Sequence, residues 1–282
     1  MRGRHMPAPF SYLLIRKMTM RKYHDSMTGQ LLKVQGLYMA KNRATYSQEV
    51  AEGPQAVREA LSWAGERVRD IYVTEDVLQR YPEFEEMTDG YWTHVVPENV
   101  LGQVSGDAQG ILAVLNTAPK PDIDSLFDNT DLVLLGVEMQ DPGNAGTVIR
   151  TADAAGAGAV LFGTGSVDHG SAKVIRSAAG STYHLPILGN LDPRSVIATA
   201  KKHGFQVLAT DGDGDVTLGS NEVDLTVPTL WILGNEARGL QGEILDRADV
   251  TVSIPIPGKA ESLNVATAAA VCLYASVLAR QA

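Results

Sequence analysis

The feature that most constrains the fold of this chain is a regular alternation of short apolar runs and helix-forming segments. Five runs have the length and composition of buried strands, at 132–137, 159–162, 205–209, 229–233 and 250–254. Helical segments lie between or after them, at 144–155, 172–179, 193–203 and 263–278. Strands that are apolar on both faces and alternate with helices form a parallel sheet covered by helices. Ligands of such sheets bind at the carboxyl ends of the strands, so the chemistry is expected in the loops that follow them.

A second, smaller α/β unit is predicted ahead of this one. Gly53-Pro54 begins a helical pattern, and strand candidates follow at 68–73, 93–96 and 110–115. This unit concentrates no reactive side chains, so a binding role is the easier assignment. A stretch with two prolines and three acids then breaks the periodicity, which is typical of a linker. The predicted organisation is a small α/β domain at 45–117, a linker at 118–130 and a larger α/β domain at 131–282.

The charge of the chain is unevenly distributed. Residues 1–45 carry nine basic side chains and one acid, Asp25, whereas the rest carries 15 basic and 32 acidic side chains. Residues 1–44 are therefore predicted to form a basic extension, either a phosphate-binding arm or a terminal segment without fixed structure. The acidic remainder argues against a protein that coats nucleic acid nonspecifically. Any contact with a polyanion is expected to be confined to a local basic patch.

Several ligand and location classes are excluded by composition and spacing. The single cysteine, Cys272, excludes an internal disulfide and fits a reducing cytoplasm. The apolar stretch 265–278 is shorter than the ~20 residues of a membrane span. The glycines at 156–165 lack dinucleotide-binding spacing, and the six histidines lack metal-ligand spacing. The acidic run 211–215 resembles a calcium loop, but Val216 stands where that loop needs glycine, so a surface turn is predicted.

Three polar segments follow predicted strands of the second domain. In 140–150, a turn with Pro142 and Gly143 runs into a helix that carries Asn144 and Arg150. The amides at such a helix start can receive an anion. The alternative is an N-cap at Asn144 and a solvated Arg150.

The second segment ends a buried strand in Gly234-Asn235-Glu236, where the glycine lets a ligand approach the backbone. In the third, 254–264, two prolines and a glycine precede Ser262 and Asn264, which sit at N-cap positions. Ordinary helix capping by Asn235 and by Asn264 is the alternative for these two segments.

In order and spacing, the three segments together resemble the SpoU (TrmH) branch of the knotted SPOUT methyltransferases. The resemblance covers roughly residues 131–280, and residues 45–117 look like the ribosomal-protein-like RNA-binding domain often fused ahead of it. It implies an α/β fold in which a trefoil-knotted, parallel-sheet methyltransferase domain follows a small α/β RNA-binding domain. It also implies 2′-O-ribose methylation with S-adenosyl-L-methionine as donor and no metal. The implied donor-binding residues are Leu233, Gly234, Ile254, Pro255 and Leu263.

The resemblance also implies a catalytic set: Asn144, Arg150, Glu236, Ser262 and Asn264. Arg150 would act on the ribose hydroxyl, and because an unperturbed arginine stays protonated, positioning and charge stabilisation are preferred over a base role. The two asparagines would orient ribose and donor, Glu236 would fix its loop or Arg150, and Ser262 would bond near the reacting centre. Catalysis would be mainly alignment.

The expected partners are RNA and a second copy of the chain. Lys173 and Arg176 are candidates for contact with the RNA backbone, with a solvated helix face as the alternative. The fused first domain favours 23S rRNA over tRNA, by analogy only. A tRNA methyltransferase and a non-catalytic RNA-binding or ribosome-assembly factor are the alternative functions. In the family the first-motif and C-terminal helices pack across a dimer axis, and the small-residue faces at 152–155 and 266–270 permit this.

Overall fold

A computed structural model describes residues 21–235 and 237–281, with only the backbone of Arg21. Its strands are β1 (Arg21–Tyr23), β2 (Gln48–Glu52), β3 (Val68–Val73), β4 (Trp92–Val95), β5 (Ile111–Asn116), β6 (Leu132–Gly136), β7 (Ala159–Gly163), β8 (Ile187–Leu191), β9 (Gln206–Thr210), β10 (Val216–Thr217), β11 (Thr229–Leu233) and β12 (Val250–Ser253). Its helices are α1 (Gly29–Gly36), α2 (Ala40–Tyr46), α3 (Pro54–Trp63), α4 (Glu75–Arg80), α5 (Glu83–Met87), α6 (Glu98–Val104), α7 (Ile123–Asp128), α8 (Pro142–Ala154), α9 (Ala172–Ser177), α10 (Pro193–Lys202), α11 (Gly242–Leu245) and α12 (Val265–Ala279).

The N-terminal unit is a mixed sheet between two helical layers. Its strand order is β1-β4-β3-β5-β2, with β5 antiparallel to both neighbours. Successive strand residues point to opposite faces. Ile71 and Ala113 therefore pack against α3, α4 and α5, whereas Tyr72 and Leu112 pack against α1 and α6. Both faces are buried, which gives this small unit two apolar layers.

Residues 21–44, predicted to be an extension, are part of this unit, and the structure corrects the boundary at residue 45. β1 pairs in parallel with β4, and Thr28 caps α1. Leu31, Val34 and Leu37 lie at helical spacing and are buried in the α1–α6 layer. This apolar stripe accounts for the folding of a segment that charge alone marked as an arm. The part of the predicted extension at 1–20 lies outside the described residues.

The C-terminal unit confirms the predicted parallel sheet. Seven strands in the order β10-β12-β9-β11-β6-β7-β8 pair in parallel throughout. Helices α8, α9 and α12 cover one face and α7, α10 and α11 the other. Two strands escaped prediction because their residues are only partly buried: β8, and the two-residue β10. The trefoil path stays a prediction.

The predicted linker at 118–130 is irregular only in its first part. Residues 123–128 form α7, whose first turn is capped by the Asp122 carboxylate. Leu126 and Phe127 are buried against the catalytic sheet. These two adjacent apolar residues gave no helical period in the sequence, so the helix was missed.

The two units meet along β2, the edge strand of the first sheet. Helix α9 covers this edge and inserts Ala172 into one apolar layer of the first unit and Ile175 into the other. Arg176 of α9 forms ion pairs with Glu52 and, at 2.9 Å, with Asp107. Covering an edge strand shields its open row of backbone groups from pairing with another chain. Arg176 is therefore an interface residue, and its contact with RNA stays a prediction.

Buried polar contacts complete this interface. Glu52 is only 2% exposed and also accepts hydrogen bonds from the Tyr38 hydroxyl at 2.6 Å and the Ser105 hydroxyl at 2.7 Å. Arg43 of α2 donates to Asp168, in the loop after β7, at 2.5 Å. Burial opposes ionisation of Asp168, but the hydrogen bond and charge of Arg43 outweigh it and lower the pKa of that carboxyl.

His184 links the units through two carboxylates. Its imidazole lies 2.8 Å from Asp153 of α8 and 3.2 Å from Glu59 of α3, beside the Trp63 ring. Burial lowers the pKa of His184, but the two carboxylates outweigh burial and raise it above the ordinary value of 6.5. A raised pKa means that the protonated form binds its partners more tightly in the folded state.

We therefore expect His184→Gln to lose stability mainly at low pH. The imidazolium contribution is fully present below the ordinary histidine pKa and disappears as pH rises through the raised folded-state value. In urea unfolding, the difference in unfolding free energy between wild type and variant should be larger at about pH 5.5 than at about pH 8.5. An equal difference at both pH values would contradict the bridging role.

Candidate active site

A cleft of about 380 Å³ lies across the carboxyl ends of β9, β11 and β12. Four of the five predicted donor-binding residues line it, namely Leu233, Gly234, Ile254 and Leu263, and so does Ser262. The fifth, Pro255, is exposed beside it. Two of the three loops singled out in the sequence thus form the cleft walls, at the edge where ligands of parallel sheets bind.

The loop after β11 requires a glycine at its first position. The backbone groups of Asn235 and Gly239 hydrogen-bond to each other in both directions, at 3.2 and 2.8 Å, which closes a tight turn. A Cβ at Gly234 would lie 2.4 Å from the carbonyl carbon of Gly239. Only a residue without a side chain allows this approach, so Gly234 shapes the cleft wall.

Asn235 anchors the same loop, a role the sequence did not reveal. Its side-chain oxygen accepts from the amides of Ala237 at 3.0 Å and Arg238 at 3.3 Å, and its amide donates to the backbone oxygen of Glu138 at 2.9 Å. The Arg238 guanidinium lies 2.7 Å from the Glu138 carboxylate. The interpretation of Asn235 as a helix cap is wrong, because a turn follows it. The loop is instead tied to the segment that leads into α8.

The predicted residues Asn144 and Asn264 come together. The cap of α8 is Asp141, whose carboxylate accepts from the Asn144 amide at 2.8 Å, so the N-cap interpretation of Asn144 is wrong. The Asn264 side chain donates to the Asn144 side-chain oxygen at 3.0 Å. Asn264 also caps α12, accepting from the Ala266 amide at 2.9 Å. This pair joins the first and third loops.

The remaining predicted residues are dispersed. Arg150 is exposed on α8, and within the described part of the chain no hydrogen bond or ion pair engages its guanidinium. Asn144, Arg150 and Asn264 lie outside the residues that line the cleft. Lys173 is exposed on α9. Glu236 lies outside the described residues.

Thr210, Asp211 and Gly212 also line the cleft, and sequence reasoning missed them. The turn predicted for this acidic run is confirmed, since the Gly214 amide bonds to the Asp211 backbone oxygen. The available signal was that Asp211 directly follows β9, at the same edge of the sheet as the other loops. A strand end of this kind marks ligand-contacting positions even when its residues match no motif.

The charges of the cleft restrict its ligand. Among its described lining residues there are two carboxylates, Asp211 and Glu261, and no lysine, arginine or histidine. Such walls disfavour a phosphate-bearing cofactor and suit a positively charged or neutral one. Apolar side chains and the backbone of Leu233, Gly234 and Ile254 supply the rest of the surface. The residues present therefore fit a sulfonium donor carrying an adenosyl group.

The remaining features concern metal ligands, membrane-spanning helices and the single cysteine. Across 21–235 and 237–281, no cluster of three His, Cys, Asp or Glu side chains has an arrangement suited to a metal ion. The same part of the chain contains no helix of the length and apolarity that a membrane crossing requires. Burial raises the pKa of the Cys272 thiol to about 12, so it is not a nucleophile near neutral pH.

The parallel sheet, the cleft at its carboxyl edge and the converging loops define an α/β enzyme of the methyltransferase class. Residues 131–274 match the SpoU rRNA methylase family, and the chain belongs to this family. It is 33% identical to the 23S rRNA (guanosine(2553)-2′-O)-methyltransferase RlmP of Bacillus subtilis, over 84% of this chain and 92% of the relative. It is 31% identical to the 23S rRNA (guanosine-2′-O-)-methyltransferase RlmB of Bordetella pertussis, over 83% and 99%.

Comparison with a solved structure also supports membership of the SpoU family. The SpoU methyltransferase AviRb from Streptomyces viridochromogenes, in complex with the cofactor AdoMet, superposes with a TM-score of 0.77 at 27% identity. The match covers 90% of this chain and 99% of that one. The likeness thus extends over both units.

Replacing Gly234 by alanine should weaken donor binding. The added Cβ forces the loop after β11 to move, because its nearest neighbours are backbone atoms of Gly239 and Leu240. We expect the Kd for S-adenosyl-L-methionine, measured by calorimetry, to rise at least about tenfold, the effect of roughly 1.4 kcal/mol. Gly242→Ala is the matched control, since a Cβ there meets no atom within 4 Å. Equal affinities in the two variants would contradict the role given to Gly234.

Proposed function

We propose that this chain transfers a methyl group from S-adenosyl-L-methionine to a ribose 2′-hydroxyl of 23S rRNA in the cytoplasm. The observation that carries the proposal is the cleft at the carboxyl edge, whose described walls carry carboxylates and no cation. The names of the relatives RlmP and RlmB support rRNA as the substrate. The particular nucleotide is left unassigned.

Donor binding is assigned to the two loops that line the cleft. Backbone groups of Leu233, Gly234, Ile254 and Leu263 hold the donor, and Pro255 keeps its loop extended. When bound, S-adenosyl-L-methionine supplies an electrophilic methyl group on a positively charged sulfur. Asp211 and Glu261 favour that positive charge in the cleft.

The acceptor side is assigned to the helices that begin at the same edge. Arg150, exposed and positively charged, holds the ribose hydroxyl and its neighbouring phosphate and stabilises the charge that develops as the proton leaves. Asn144 and Asn264, joined by their hydrogen bond, orient the ribose. Ser262 hydrogen-bonds near the reacting centre, and Glu236 fixes its loop. Lys173, exposed on α9, contacts the RNA backbone.

Arg150→Ala should abolish methyl transfer while sparing the donor site. Arg150 lies outside the cleft lining, so the Kd for S-adenosyl-L-methionine should stay within about twofold of the wild-type value. Transfer of tritiated methyl to 23S rRNA should fall by at least about a hundredfold, the loss typical when a transition-state charge contact is removed. Arg80→Ala, at another exposed helical arginine, is the control. An active Arg150→Ala enzyme would remove this assignment.

The same assay distinguishes the alternative functions. Labelling of tRNA but not of rRNA would identify a tRNA methyltransferase. Binding of the donor without labelling of either RNA would identify a non-catalytic RNA-binding factor.

We also propose that the chain acts as a homodimer. The small residues Ala152, Ala266 and Ala269, predicted to allow packing between copies, are buried where α8 meets α12 within one chain. The exposed face of α12 instead carries Val271, Tyr274 and Leu278, whose spacing of three and four residues forms one apolar stripe. A second copy would cover this stripe.

Leu278→Glu should convert the dimer to a monomer, because it places a charge in the proposed apolar contact. Light scattering should report twice the 30.2 kDa chain mass for the wild type and a single chain mass for the variant. Ser195→Glu, on the exposed face of α10, adds the same charge and should leave the dimer intact. A wild-type monomer would contradict the proposal.

A further inference from the structure

We propose that the exposed face of the α1–α2 hairpin is the surface on which the RNA substrate docks. This α1–α2 patch consists of Leu32, Lys33, Met39, Lys41 and Tyr46, all exposed. The inference rests on the proposed function, and it assigns substrate docking to a part of the chain far from the three catalytic loops in sequence.

The charge of the patch sets it apart from the rest of the molecule. Asp25 is the one acid in residues 1–47, whereas the remainder of the chain carries 32 acids against 15 bases. Helix α6, which packs beside α1, contributes a single acid, Glu98. A polyanion approaching this protein is therefore attracted to the hairpin and repelled by the acidic surfaces.

Exposed apolar side chains lie between the lysines. Leu32 is 55%, Met39 65% and Tyr46 45% exposed, although α1 buries Leu31 and Val34 in the core. The ammonium of Lys33 lies 4.3 Å from the centre of the Tyr46 ring. A ring held beside a cation can stack on an unpaired base while the lysine meets the adjoining phosphate. This combination fits RNA better than an acidic protein surface, which offers no bases to stack.

The hairpin is fixed to the catalytic unit. The Arg43 guanidinium donates to the backbone oxygens of Leu37 and Tyr38, at 2.8 and 2.9 Å, and to Asp168. Asp168 follows β7, and β7 is separated from β11 only by β6. The hairpin therefore contacts a loop at the carboxyl edge of the catalytic sheet, the edge at which the cleft lies.

Filter-binding of in vitro transcribed 23S rRNA over a salt series tests the proposal. For Lys33→Ala/Lys41→Ala, we expect the slope of log Kd against log salt to fall by about two, since each lysine that neutralises a phosphate contributes about one. Tyr46→Ala should raise the Kd roughly tenfold with an unchanged slope, and Tyr46→Phe should restore binding because it keeps the ring. All variants should bind S-adenosyl-L-methionine as the wild type does.

The matched control is Lys201→Ala/Lys202→Ala, which removes the same charge from α10 on the far face of the catalytic sheet. If the wild type is active and Lys33→Ala/Lys41→Ala binds RNA with unchanged Kd and slope, the docking role of the patch is contradicted. The proposed function would remain intact. If the same double variant loses the dimer but keeps its RNA affinity, the patch is a contact between copies. That result would also contradict the docking proposal. A wild type that binds rRNA through the patch but labels no RNA would instead overturn the proposed function.

Discussion

The buried carboxylate of Glu52 is the contact on which the arrangement of the two units depends. An ionised group removed from water needs partners on every side, because an unpaired buried charge is strongly destabilising. Glu52 finds them in Arg176 of the catalytic unit and in two hydroxyls of its own unit. Because α9 must present Arg176 at this point, α9 also covers the edge strand β2. Nearby, Arg43 of the hairpin pairs with Asp168 in the loop after β7.

In the candidate active site, one residue caps a helix and also contacts the start of a second helix. Asn264 satisfies the free amides at the start of α12 and also reaches Asn144 on α8. Capping and function, weighed as alternatives in the sequence, are therefore compatible in a single side chain. The loops after β9, β11 and β12 supply the cleft, and the asparagine pair fixes the helices beside it.

Much of this could be predicted, because strands and loops at the carboxyl edge leave local patterns. Buried runs such as 229–233 are apolar throughout, and Gly234 marks a close backbone approach. The contacts that were missed join residues far apart in sequence. The pairing of Arg176 with Glu52 spans 124 positions, and the Asn144–Asn264 hydrogen bond spans 120. Helix α7 and β8 were missed for a different reason, since their few buried residues form no period.

The covering of β2 by α9 also bears on how a substrate is selected. Units joined by a flexible linker can adjust to RNAs of many shapes, whereas units held by a shared helix and buried ion pairs keep one span between docking surface and cleft. The distance between the proposed docking surface and the cleft is then fixed. An RNA is accepted when its docking element and its target ribose stand the right distance apart, so the architecture of the folded RNA becomes part of the recognition signal.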